Sequence, residues 1–402
     1  VQPTFKEFLA EAKTLHMTHA EDNILDSGHQ GGLDTIHYLE QVAKMMSGDT
    51  SSKINVTTKY DGSPAIFCGE HPENGKFFVG TKGVFSKKVP KIIQSEADAD
   101  KHYDGELATI LKLALKHLSK LNIKGIIQGD LMFTKSILKP HSYDGENYIT
   151  FTPNTVTYAV PANSEAARII KRAQIGIIFH TTYTGKSFDT LKASFNVDVN
   201  KLKQTPDVWV DDATYADVSG SVTLTQKDEN ALLKHIKQAK SSLEQINKKA
   251  LDELTKKSTF KGLITMNLNQ LIRGGKHIDD PTKHVEELIK FVHQRIEKEK
   301  EAGKTTPEGA ERKRGRQIAM IDEFKPLLVA IFKFQMHVNE AKLLLIRKLE
   351  KGASMKTFMT KDGSIVSADG EGFVAVSHLD GKAIKLVDRL NFSAANFARA
   401  AK

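Results

Sequence analysis

The chain has 402 residues, 40% hydrophobic and 27% charged, with a formal net charge of +9 and an isoelectric point near 9.2. That is enough apolar material for a full core split into two or three units, and the basic balance favours an anionic partner, nucleic acid first. A lone cysteine, Cys68, excludes an internal disulfide and a Cys-rich zinc site; no run approaches the ~18 apolar residues of a membrane helix, and the opening residues lack a leader's apolar core. No membrane association and a reducing cytoplasm are expected.

Residues 4–48 read as two helices, the first with Phe5, Phe8 and Leu9 on one face, the second with Leu33, Ile36, Leu39, Val42 and Met45 at i, i+3 spacing. Between them lie His16, His19, Glu21 and Asp22, then a glycine-rich stretch over 28–32, which suits either a metal or a capped polar loop. Short strands are predicted over 54–58, 65–69, 77–80 and around Val84-Phe85. A helix follows with Leu107, Ile110, Leu111, Ala114 and Leu118 along one face. An apolar strand over 123–127 ends in Gln128-Gly129-Asp130, and further strands are expected over 150–160 and 175–182, with a short helix over 164–172 between them. Strands and helices without a βαβ rhythm predict an α+β fold with a largely antiparallel sheet.

Residues 225–352 differ. Heptad-like apolar spacing recurs in 231–254, 284–300 and 318–349, which predicts an all-α module. Residues 221–350 hold 26 Lys and Arg against 18 Asp and Glu, so this segment carries nearly all of the excess charge. Residues 304–316, with Arg312, Lys313, Arg314 and Arg316, have no apolar period and read as an exposed loop or frayed helix start able to meet nucleic acid. A docking module for a protein partner is the competing account. Strand character resumes over 357–359, 365–366, 372–376 and 383–387, before a short C-terminal helix. The expected division is 1–50 (helical, packed on the next unit), 51–224, the inserted module 225–352, and 353–402.

Between the strands over 54–58 and 65–69 stands Lys59-Tyr60-Asp61-Gly62, either a plain hairpin turn or a reactive lysine followed by a turn that leaves room for a nucleotide. In chain order come Gly80-Thr81-Lys82-Gly83, Gly129-Asp130-Leu131, Ile177-Ile178-Phe179-His180, Glu371-Gly372-Phe373-Val374 and Ile384-Lys385-Leu386-Val387. This series resembles the motifs of ATP-dependent polynucleotide ligases and related covalent nucleotidyltransferases, especially phage RNA-ligase-like proteins, over about 1–185 and 355–402. The resemblance implies a ligase-type nucleotidyltransferase domain in two parts (51–224 and 353–402), interrupted by the helical module. It implies Lys59 as the nucleophile that takes AMP from ATP, with Thr58, Asp61, Gly62, Lys82, Asp130, Phe179 and Lys385 around the nucleotide. Glu371 and Asp130 would hold Mg²⁺ or Mn²⁺, and Phe179 would stack on the base. The implied reaction joins 5′-phosphate to 3′-hydroxyl ends of RNA or DNA, in the host cytoplasm if the chain is phage-encoded.

Each match has a chemical reason. An attacking lysine must be neutral, so its ammonium pKa has to fall, and Lys82 and Lys385 are the cations that would help. Carboxylates suit a divalent cation that screens phosphate charge. Asp130 replaces the family's usual Glu, and only one lysine stands near 385 where two are usual, with Lys382 or Arg389 as substitutes. Too few residues follow Lys385 for the β-barrel domain of DNA ligases and capping enzymes. Two other functions remain open: a catalytically impaired nucleic-acid-binding protein on a ligase scaffold, and a nucleotidyltransferase acting on proteins or small molecules.

Overall fold

The computed structural model describes residues 17–47, 54–194, 197–214, 224–352, 355–361, 364–367, 370–377 and 383–390. Within them the chain is α+β with mainly antiparallel sheets. It begins with β1 (Thr18–His19), α1 (Asn23–Met46), β2 (Ile54–Thr58), β3 (Ala65–Glu70) and β4 (Phe77–Gly80). Next are α2 (Glu96–His102), α3 (Gly105–Leu118), β5 (Ile126–Thr134), β6 (Lys139–Tyr143), β7 (Glu146–Phe151) and β8 (Thr157–Pro161). After α4 (Glu165–Arg172) come β9 (Ile175–Thr184), β10 (Lys192–Ser194) and β11 (Val208–Asp212). The helical stretch holds α5 (Gln226–Glu244), α6 (Lys248–Lys256), α7 (Ser258–Arg273), α8 (Pro281–Glu301), α9 (Pro307–Glu323) and α10 (Lys325–Leu349). The last strands are β12 (Lys356–Lys361), β13 (Ser364–Ser367), β14 (Phe373–Ser377) and β15 (Ala383–Leu386).

Three sheets result. The first has the order β1-β15-β14-β2, the second β10-β9-β5-β3-β4 with β11 also on β9, and the third β13-β12-β8-β7-β6. The interior strand β3 is apolar on both faces because both are covered. Ile66 and Cys68 pack toward Leu111, Ala114 and Leu118 of α3, while Phe67 packs with Phe78 and Tyr183. The helices start where capping groups allow: Thr225 accepts from the Asp228 N–H, Asp280 caps α8 with Pro281 in its first turn, and Thr306 does the same ahead of Pro307.

The helical stretch does not stand apart from what flanks it. Its central helix, α10, buries Leu328, Ile331, Phe332, Val338, Leu345 and Leu349, and that core runs on through Ile36, Leu39 and Val42 of α1 to Val56, Ala375 and Leu386 of the first sheet. Removing one such ring, as in Phe332→Ala, costs about 3–5 kcal/mol in a close-packed core. An ionic network crosses the same core. Lys342, 0% exposed, donates to both Glu21 carboxylate oxygens at 2.8 Å. Arg389 pairs with Asp22 at 2.8 Å and donates to Asn269 at 2.7 Å, and Gln335 donates to the Glu21 carbonyl at 3.1 Å. Burial alone would raise the Glu21 carboxyl, but Lys342, with help from His19 and Arg389, holds it below its ordinary range. Four distant parts of the sequence are thereby locked by charge as well as by apolar contact.

Several local expectations change. The glycine-rich stretch over 28–32 lies inside α1, which is broken at Gly28 (φ +63°). The buried face of α1 is turned from the expected stripe: Leu33 is 43% exposed, whereas Tyr38 and Met46 are buried. Val84-Phe85 belong to a 3-10 turn (Lys82–Phe85), and the strand expected over 150–160 is two antiparallel strands, β7 and β8. The 304–316 run is largely helical. Thr306 and Pro307 start α9, and α9 carries Arg312 to Arg316. Phe5, Phe8, Leu9, His16, Lys382 and the expected C-terminal helix lie outside the described residues. Among the described residues no helix is long and apolar enough to cross a membrane.

Candidate functional site

The position of Lys59 follows from strand pairing. β2 runs antiparallel to β14, ending at the pair Thr58↔Phe373, and the Lys59 N–H then donates to the Gly372 carbonyl at 2.8 Å. Gly372 has φ +121°, and a Cβ there would stand 2.4 Å from the Leu386 carbonyl, so only glycine fits. This register sets the buried Glu371 carboxylate against Lys59 Nζ in an ion pair. On the other side the Thr58 N–H donates to the Ala213 carbonyl at 2.7 Å, and the Ala213 N–H to the Phe179 carbonyl at 3.3 Å. The segment just past β11 therefore ties the first sheet to the second beside Lys59.

The turn after Lys59 is pinned by its own residues. A Cβ on Gly62 would meet the Asp130 Cβ at 2.5 Å, so glycine lets the turn lie against β5. Asp61 is buried, and its carboxylate accepts from the Thr155 and Val156 N–H groups at 2.7 and 3.0 Å and from the Asn154 amide at 2.7 Å. Its own N–H donates to the Tyr158 hydroxyl at 2.7 Å. The Asp61 side chain is thus spent on the loop between β7 and β8. Expected at the nucleotide, it instead positions the turn that carries Lys59.

Burial lowers the Lys59 ammonium from its ordinary value to about 8. The Lys385 charge acts in the same direction, while Asp130 and Asp61 oppose it. Lys385 is itself lowered by burial and by Arg389. Its neighbour across the parallel β1–β15 pair is His19, which burial drives down to about 3. Arg389 is committed to Asp22, so it does not double Lys385 at the site.

Lys59 borders a cleft of about 210 Å³, with Thr58, Asp130, Gln128, His180, Asp212 and Thr214 as its polar lining and Met17, Ile178 and Val197 among its apolar walls. Asp130 stands within β5 rather than at its end, opposite Ala65 and Ile178. A β-bulge explains the partner of Asp130. Gln128 pairs with Thr181 and Gly129 with Phe179, leaving His180 as the extra residue on β9. The bulge turns His180 toward the cleft, where its Nε2 lies 3.6 Å from Asp130 Oδ2.

The expected residues are not all brought together. Thr58, Lys59, Asp130 and Glu371 converge, with Lys385 near enough to act on the Lys59 charge. Phe179 contributes to the cleft wall but is 0% exposed within the core beside α3, so its ring has no open face for a base. Lys82 is exposed in the turn after β4, at the same end of the sheet but outside the cleft lining. In α9, Lys313 pairs with Glu299 and Arg314 with Glu311 and Glu297, so half of the expected basic run is neutralised within the fold, while Arg312 and Arg316 are exposed. His180, Gln128 and Asp212 were not anticipated. The adjacency of His180 to Phe179 was the available signal, since neighbours on a strand face opposite ways. The pair Asp211-Asp212 closing a strand was another, and burial raises Asp211 to about 6.

The model of one protein family, described as "Family of unknown function (DUF6267)", matches residues 14–402. The chain belongs to this family. No curated protein and no solved structure matches it. The geometry above is therefore what gives this member of DUF6267 a chemical reading. Among its described residues no group of three or more His, Cys, Asp and Glu side chains is arranged to hold a metal ion. Asp130 lines the cleft and Glu371 is buried against Lys59, so a cation that takes one or two carboxylates and draws its other ligands from phosphate and water, such as Mg²⁺, would have these two as its oxygen donors.

Proposed function

We propose that the chain is an ATP-dependent polynucleotide ligase, most closely an RNA ligase, working through a lysyl-AMP intermediate. The observation that carries this reading is Lys59: a half-buried lysine with its ammonium lowered to about 8, beside Glu371, Asp130 and Lys385, at the edge of a cleft with an apolar wall. A neutral Lys59 amine attacks the α-phosphorus of ATP. The Nζ–P bond forms, the bridging P–O bond breaks with its electron pair going to pyrophosphate, and the Nζ proton is lost to solvent or to Glu371. The ion pair with Glu371 holds Lys59 as ammonium at rest. Mg²⁺ bound by Glu371 and Asp130 would screen the phosphate charge.

His180, half-buried, rather than the fully buried Phe179, supplies the ring beside the apolar wall for the base. Asp130 accepts from a ribose hydroxyl, or would help hold the cation. AMP then passes to a 5′-phosphate end, and a 3′-hydroxyl displaces it. Incubation with α-labelled ATP and Mg²⁺, followed by 5′-phosphorylated RNA or DNA, tests both halves. The expected result is label on the protein, absent in Lys59→Ala, that moves to the strand. An unlabelled wild-type protein would overturn the reading, and label that never moves to a polynucleotide would confine it to another acceptor.

A further inference from the structure

Lys59 borders a second cleft on the side away from His180. It has a volume of about 360 Å³ and lies between the end of α10 and the start of β12; Thr58 and Tyr60 edge both clefts. Its lining differs in chemistry from the first. Lys351, in the turn that follows α10, and Lys356, at the start of β12, bring two cations to the lining, where Glu350 is an acid and Glu146 pairs with Lys356 from beside it. Lys356 is 58% exposed, with its amine at 2.5 Å from the Tyr148 hydroxyl and 3.2 Å from Glu146. Tyr158 lines the same cleft, and its hydroxyl, which accepts from the Asp61 N–H, keeps its own proton because burial raises its pKa. Tyr60, half-buried with its ring 5.6 Å from that of Tyr158, adds an aromatic surface at the boundary between the clefts.

We infer that this second cleft holds the 5′-phosphorylated end of the acceptor strand, an assignment that rests on the ligase reading above. Two lysines and a hydroxyl proton suit a phosphate monoester, and a tyrosine ring suits the terminal base. A free phosphate would need the first set but not the second. Lys59 belongs to both clefts, so an AMP on its Nζ lies within reach of a phosphate held in the second one. An oxygen of that phosphate attacks the α-phosphorus. The new O–P bond forms as the P–Nζ bond breaks, the electron pair returns to Nζ, and the amine takes a proton from solvent. The helical stretch then contributes to the reaction through Lys351 at its exit.

The test compares binding of 5′-phosphorylated and 5′-hydroxyl oligonucleotides of one sequence, as RNA and as DNA, by fluorescence anisotropy of the full chain. Self-labelling with α-labelled ATP is followed in parallel. The wild-type protein is expected to favour the 5′-phosphate about tenfold, equal to ~1.4 kcal/mol. Lys351→Ala with Lys356→Gln, both at exposed positions, should bring the two affinities within about twofold and slow AMP transfer while the protein still takes label. Lys351→Ala alone should lose part of the preference, which guards against a fold defect from the Glu146 contact. The assignment is overturned if the wild-type protein shows no 5′-phosphate preference, if the preference survives the double substitution, or if label falls in step with it. A wild-type protein that prefers the 5′-phosphate but takes no label would sink the ligase reading and leave the cleft standing; label without preference would do the reverse.

Discussion

Asp61 separates two accounts of the Lys59 turn. If its carboxylate met the nucleotide, replacement would weaken ATP binding and leave stability nearly unchanged. The structure gives it three donors instead, two of them backbone N–H groups. Asp61→Ala leaves both N–H groups without an acceptor, and an orphaned buried donor costs about 1–3 kcal/mol. Val156 is buried whereas Thr155 is half-exposed and can turn to water, which puts the expected loss at about 2–4 kcal/mol. That is a large part of the ~5–15 kcal/mol that holds a typical domain together. Asp61→Asn keeps one oxygen where both N–H groups point, and the Asn154 amide can turn over to match it, so about 1 kcal/mol is expected. The sole tryptophan, Trp209, is buried in the same cluster as Phe151, Val156 and Tyr158, so its fluorescence in a urea titration reports this region. The unfolding midpoint should fall in the order wild type, Asp61→Asn, Asp61→Ala. Unchanged midpoints together with lost ATP binding would refute the reasoning.

Other outcomes follow from the same physics. Lys342→Met should lower stability by about 3–5 kcal/mol because it leaves Glu21 buried against Arg389 alone, and adding Glu21→Gln should recover most of it; thermal melts decide, and an unaffected single variant would contradict the network. The self-labelling rate should rise about tenfold from pH 7 to 9 and then flatten, since a lysine lowered to about 8 gains neutral amine over that window; an unshifted lysine near 10.4 would rise about 100-fold with no plateau. Lys385→Ala removes a neighbouring cation, so the midpoint of that profile should move up. His180→Ala should weaken ATP binding by about 1–3 kcal/mol with little change in stability. Phe179→Ala should do the opposite, losing about 3–5 kcal/mol of stability. Calorimetric titration and urea unfolding of the two variants distinguish the roles.

The helices and most strands were legible because their apolar periods and caps are local properties. The α3 stripe and the strands over 54–58 and 77–80 are examples. What escaped was set by contacts between distant segments. Lys342 lies in an apolar stripe and shows its role only once Glu21 is brought against it from the other end of the chain. The basic run over 312–316 looks exposed in sequence, but Glu297 and Glu299 lie opposite it on α8. Lys59 and Glu371 could be matched as motif members, whereas their ion pair depends on the β2–β14 register. Alternation sets Phe179 and His180 on opposite faces, but the register that turns His180 into the cleft comes from one bulge, which only the pairing of β5 with β9 shows. Asp61 is the clearest case: a residue that fits a motif by type and position can still direct its side chain into the scaffold.

The central claim is a covalent bond between Lys59 Nζ and AMP. Mass spectrometry of the intact chain after incubation with ATP and Mg²⁺, with peptide mapping of the modified residue, tests it most directly. The account predicts a gain of one adenylyl group, carried by the peptide that contains Lys59 and absent from Lys59→Ala. An unmodified chain, or an adenylyl group on another residue that persists in Lys59→Ala, would contradict it.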